Sequence, residues 1–221
     1  MLLRRTLLAR LSATAFAGAV VNPGRAGADV IAHQTVLIIR HAEKPDSEGD
    51  VGVDVNGTAN HSSLTPRGWQ RAGVWAELFA PSLGQQSLLP TPQTVFASAP
   101  QSHAVVAAGE GGSASSRPLE TISPLASKLA IKIDLSFDEG SEANLAAAVA
   151  QTAGVVLVCW QHQDIATITK SLAPDVQSVP SKWPSDCFNV VFRFDRSDLA
   201  SPWTFQQIVP VMLQGDKPSQ I

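Results

Sequence analysis

The stretch VLIIRHAEKP, Val36 to Pro45, sets four branched aliphatic residues directly against an arginine, a histidine, a glutamate and a lysine. An unbroken apolar run of this length predicts a strand covered on both faces. The charges that follow must meet solvent, a partner or a ligand, because burying them unpaired is costly. Three further stretches have the same aliphatic density: TVFASA (94–99), GVVLVCWQ (154–161) and NVVFRF (189–194), with TFQQIVPVML as a possible fifth. Helical patterns fall between them. Thr65 with Pro66 reads as an N-cap followed by a first-turn proline, and Trp69, Ala72, Val74, Ala76, Leu78 and Phe79 supply the apolar side of a helix to about residue 79. A second helix is expected over 118–130. A third opens at Ser141 and ends before Gly154. Strands alternating with helices predict a three-layer α/β/α sandwich with a mostly parallel central sheet.

With 44% hydrophobic and 16% charged residues over 221 positions, one globular domain is expected, spanning 29–221. Residues 1–28 differ in kind. Three arginines in MLLRRTLLAR precede the apolar LSATAFAGAVV, and small residues then offer cleavage after Ala28, the pattern of an export signal and a periplasmic or secreted product. The apolar run is shorter than the ~18 residues of a spanning helix, so no stable membrane association is expected once the signal is removed. That removal takes four arginines and no acid, leaving 12 basic against 19 acidic residues and a net charge of −7. Such a balance disfavours nucleic acid as a partner. Cys159 and Cys187 are expected as lone thiols in separate core strands; an exported chain permits their pairing, but spacing cannot establish it. The polar segment 46–63 has acids at 46, 48, 50 and 54 but lacks the glycine and closing glutamate of a calcium loop, and reads as a solvated loop. The small-residue segment 101–116 is expected to connect over the same sheet edge.

Ligands of open α/β sheets bind beyond the carboxyl ends of the strands. Arg40 and His41 follow the first strand, His162 follows the strand 154–161, and Arg117 follows the loop leaving the second strand. Two arginines and two histidines converging there describe an anion site, because guanidinium forks match phosphate oxygens. A neutral imidazole within it can attack phosphorus and carry the phosphoryl group until water removes it. A leaving alcohol then needs a proton from a nearby carboxylic acid.

These residues carry a resemblance. RHAEKP resembles the Arg-His-Gly opening of the histidine phosphatase superfamily, the phosphoglycerate mutase-like fold, with Ala42 in place of the usual glycine. LTPRGWQRA (64–72) resembles its Leu-Thr-x-x-Gly helix, with Gln70 shifted by one position. RPLET (117–121) is similar to its second arginine with a threonine four residues on, and VVLVCWQH to the strand carrying its second histidine. The resemblance implies His41 as nucleophile and Arg40, Arg117, His41 and His162 as the phosphate pocket, with no cofactor and no metal. For the proton donor it offers Asp138, Glu139, Glu142 or Asp164, and Glu139 is the expected one. The implied activity is hydrolysis of a small-molecule or protein phosphomonoester; the mutase-type continuation after the first motif is missing. The competing expectation is a non-catalytic protein that binds a phosphoryl ligand in the same pocket. A metal-dependent hydrolase lacks the clustered carboxylates and ligand spacing it needs. Glu43 and Lys44 are expected at the mouth, Trp69 and Trp75 in the helix core, and Trp183 and Trp203 as packing or pocket rim, while His33, His61 and His103 have no assigned role.

Overall fold

A computed structural model describes residues 33–46, 49–82, 85–101, 112–198 and 200–221. The export signal expected over 1–28, and His103, lie outside these residues. The sheet contains β1 (Gln34–Arg40), β2 (Thr94–Ala97), β3 (Ile133–Asp134), β4 (Gly154–Trp160), β5 (Val191–Arg196) and β6 (Thr204–Ile208). The helices are α1 (Pro66–Phe79), α2 (Arg117–Leu129), α3 (Glu142–Gln151) and α4 (Ile165–Leu172). Strand order is β3-β2-β4-β1-β5-β6. The four strands from β3 to β1 run parallel, and β5 and β6 complete the sheet antiparallel.

All seven residues of β1 are buried, as its unbroken apolar run requires. Its side chains alternate between two cores. Val36 and Ile38 face Leu145, Val149, Ile165, Ile168 and Leu172 of α3 and α4, whereas Leu37 and Ile39 face Trp75 and Phe79 of α1 and Ile122 and Leu125 of α2. The helices therefore cover both faces, giving the expected three layers. Every strand and helix anticipated from sequence is present. The antiparallel sense of β5 and β6, the two-residue β3 and the short helix α4 were not anticipated. The strand expected over 94–99 ends at Ala97, and that expected from 189 starts at Val191.

Two side-chain expectations need correction. Trp69 is half-buried rather than central, with its indole N–H donating to the Val53 carbonyl at 2.7 Å; the inward face of α1 is Gly68, Arg71, Ala72, Trp75, Ala76 and Phe79. Cys187 lies not in a strand but in the segment leading to β5, and both it and Cys159 are buried free thiols. Trp183 and Trp203 pack against Phe192 and Phe194.

Candidate active site

Parallel pairing of β1 with β4 sets Arg40 opposite Trp160, and the His41 amide donates to the Trp160 carbonyl at 3.0 Å. His41 and His162 thus leave neighbouring strands at the same end of the sheet. Helix α1 follows β1 on one face and α4 follows β4 on the other, so the two strands part the connections and open a crevice between them.

His41 is only 3% exposed. Its Nδ1 lies 2.7 Å from the carbonyl oxygen of Ala42, which can only accept, so Nδ1 carries the proton and Nε2 holds the lone pair. Burial, and after it the positive charge of Arg40, pushes its pKa well below the ordinary histidine value; Arg117 and His162 push in the same direction. The imidazole is therefore neutral at physiological pH, with Arg40, Arg117 and His162 near enough to act on it. The turn that carries it is held from beneath. The Ala42 amide donates to Thr121 Oγ1 at 2.9 Å, and the Thr121 hydroxyl donates to the Arg117 carbonyl at 2.7 Å, so one threonine of α2 ties the histidine turn to the second arginine.

Arg40 is buried, and its Nη1 donates to the carbonyls of Ser185 at 2.7 Å, Pro184 at 3.2 Å and Cys187 at 3.3 Å. Its guanidinium lies 3.9 Å from the centroid of the Phe188 ring. Burial lowers its pKa to about 10, leaving it charged. Arg117 donates from Nη2 to the His61 carbonyl at 2.8 Å. Among the described residues, Arg40 Nε and Nη2, Arg117 Nε and His162 Nδ1 are buried without a protein partner. Buried N–H groups in native proteins are ordinarily satisfied, so the unpartnered guanidinium donors of Arg40 and Arg117 are suited to an anion. The His162 pKa is lowered to about 4 by burial and by Arg40 and Lys44.

The four candidate acids fall into two classes. Asp138 accepts from Ser141 Oγ at 2.6 Å and Gln101 Nε2 at 2.9 Å, and Glu142 accepts from Trp160 Nε1 and the Gly140 amide at 3.0 Å; both serve the turn that opens α3. Glu139 instead accepts from Gln161 Nε2 at 3.3 Å, beside His162. Asp164 has a buried Oδ2 with no protein partner, and burial, then Glu142 and Glu139, raises its pKa to about 6. Among the described residues no group of three or more His, Cys, Asp or Glu side chains could hold a metal.

Glu43 is not simply a loop residue at the mouth. Its carboxylate accepts from Arg71 at 2.7 Å and Arg67 at 3.0 Å, and Arg71 also donates to Asp216 at 2.7 Å. Arg71, Phe188, Asp216 and Thr121 had no assigned role in the sequence reading. Arg71 was discoverable, since it sits on the inward face of α1 one turn before Trp75; nothing in the sequence marks Phe188. Lys44, Arg67, Ser185, Asp186 and Phe188 line a cleft of about 820 Å³ next to the site.

No family model matches the chain, and no curated protein matches it. Among solved structures it is similar to the protein histidine phosphatase SixA complexed with tungstate, with 14% identity, 79% of this chain and 96% of that chain covered and a TM-score of 0.45. It is also similar to a mycobacterial hydrolase, with 12% identity, 79% and 97% covered and a TM-score of 0.45. A phosphoserine phosphatase from Entamoeba histolytica, solved in complex with phosphoserine, has 13% identity, 73% and 90% covered and a TM-score of 0.41.

Proposed function

We propose that the protein is an exported phosphatase of the histidine phosphatase type, hydrolysing phosphomonoesters through a phosphohistidine on His41. Export rests on the composition of residues 1–28. The chemistry rests on one observation above the others: a buried, neutral histidine with its Nε2 lone pair uncommitted is influenced by Arg40, Arg117 and His162, and Arg40 Nε and Nη2, Arg117 Nε and His162 Nδ1 have no protein partner. The order of the motifs along the chain supports the same reading.

In the first step the Nε2 lone pair of His41 forms the N–P bond. The ester P–O bond breaks, and its electron pair leaves on the alcohol oxygen, which takes a proton from a carboxylic acid. The Ala42 carbonyl, accepting from Nδ1, stabilises the positive charge that builds on the ring. Arg40, Arg117 and His162 bind the phosphoryl oxygens, where electrostatic stabilisation contributes most. In the second step water attacks phosphorus and gives its proton to the carboxylate; the N–P bond breaks, the pair returns to Nε2, and inorganic phosphate departs. Glu139 and Asp164 are the acids suited to this exchange. A carboxyl raised to about 6 keeps a larger protonated fraction near neutrality than one at its ordinary value, which favours Asp164 alongside the Glu139 expected from sequence.

Rapid acid quench with a 32P-labelled phosphomonoester tests the reading. Label is expected on the wild type and absent from His41→Ala. Phosphate binding without turnover or label would replace the enzyme by a phosphoryl-ligand binding protein, and chelator-sensitive turnover would point to a metal.

A further inference from the structure

Phe188 belongs to neither hydrophobic core and is only half-buried, yet it carries two guanidinium groups: Arg40 at 3.9 Å from the ring centroid and Arg71 at 5.7 Å. Arg71 cannot wander. Its side chain is 1% exposed, and it is held by Glu43 on one side and, through two hydrogen bonds of 2.7 and 2.9 Å, by Asp216 on the other. The segment around Phe188 is itself fixed by the carbonyls of 184, 185 and 187 accepting from Arg40, and by Asn189 donating to the carbonyls of Lys217 at 2.8 Å and Pro210 at 3.0 Å.

A planar cation stacked on a ring keeps its in-plane donors directed along the edge of the stack. In Arg40 the three carbonyls consume Nη1 and the ring covers a face, so Nε and Nη2 are what is left for a ligand. We propose that Phe188, braced by the Arg71–Asp216 ion pair, is a positioning residue that holds the Nε and Nη2 edge of Arg40 in register for two phosphoryl oxygens. The inference rests on the reading of Arg40 as part of a phosphate pocket.

The test uses Phe188→Leu, which keeps an apolar side chain but removes the ring, and Phe188→Tyr, which keeps the ring. Inorganic phosphate affinity is measured by calorimetry, and the Arg40 Nε–H resonance is followed by 1H–15N NMR, assigned with Arg40→Lys. Loss of one desolvated stacking contact should weaken phosphate binding by about tenfold in Phe188→Leu, with Phe188→Tyr within about twofold of the wild type. The ring-current displacement of the Arg40 Nε–H should vanish in the leucine variant only. Unchanged phosphate affinity in Phe188→Leu overturns the inference. So does a rise in KM for the ester without any change in phosphate affinity or in the Arg40 resonance, since the ring would then be contacting the leaving group. The two proposals part company cleanly: a wild type that binds phosphate without turning over an ester loses the phosphatase reading but keeps this one, and a wild type that turns over an ester while Phe188→Leu leaves phosphate affinity unchanged keeps the phosphatase reading and loses this one.

Discussion

At the scale of single residues, the proposed mechanism turns on opposite displacements of two kinds of titrating group. His41 is pushed down by burial and by the surrounding positive charges, whereas Asp164 is pushed up to about 6 by burial and by neighbouring carboxylates. A base lowered in this way stays unprotonated to lower pH than a free imidazole, so the acidic limb of kcat/KM should lie below pH 6.5. An acid raised in this way loses its proton near pH 6, so the alkaline limb should begin there. Asp164→Asn should remove that limb and lower kcat by about 100-fold for an ester with a poor leaving group, with little effect for nitrophenyl phosphate, whose leaving group departs unprotonated. If Glu139→Gln shows this signature and Asp164→Asn does not, the donor is Glu139. The paired arginines and histidines were legible in sequence because each follows a strand or opens a helix, where sheet geometry alone brings side chains together. Phe188 was not, because its role depends on a contact between positions 188 and 40 that no local pattern encodes.

The elements show how closely backbone segments must approach to carry such a site. Thr65 caps α1 by accepting from the Gly68 amide at 3.2 Å, and its own amide donates to the Glu43 carbonyl at 3.0 Å, so the helix begins on the backbone just past His41. A Cβ at Gly68 would stand 2.5 Å from that carbonyl oxygen and 3.1 Å from the Glu43 amide nitrogen. Gly68→Ala must therefore push α1 away from the strand end. The expected cost is about 1–3 kcal/mol in urea unfolding, with a fall in kcat that Gly73→Ala, which meets nothing within 4 Å, does not share. Elements were the most legible part of the sequence, since continuous apolar runs and the Thr65-Pro66 start are local signals. The short α4 lay hidden behind His162. The antiparallel sense of β5 was invisible for a related reason: its alternation, with Phe192 and Phe194 buried and Arg193 and Asp195 part-exposed, reads the same in either direction.

For the whole molecule, the Arg71 network joins three distant parts of the chain: Glu43 after β1, Arg71 in α1 and Asp216 near the end of the sequence. Burial opposes ionisation of Asp216, but hydrogen bonds from Arg71 and from the Leu213 and Met212 amides outweigh it and hold the carboxyl below its ordinary value. A depressed acid contributes stability that is fully present above its unfolded value, near pH 4, and is lost as pH falls through the folded one. Asp216→Asn should therefore be destabilised by about 3 kcal/mol at pH 7, where Arg71 loses a buried partner, and the gap to the wild type should narrow below about pH 4 in acid unfolding followed by circular dichroism. A gap independent of pH would mean that the carboxylate charge contributes nothing. The three-layer arrangement was readable from the alternation of strands and helices, whereas this long-range clasp was not, because arginine on a helix ordinarily signals solvent.

The His41 amide belongs to the same ladder as β1, donating to Trp160 at the end of a strand covered on both sides. Its proton can exchange with solvent only when that ladder opens, an event drawn from the high-energy end of the molecule's fluctuations. Motion of the surrounding loops would thus leave the imidazole proposed to attack phosphorus anchored to the central strand.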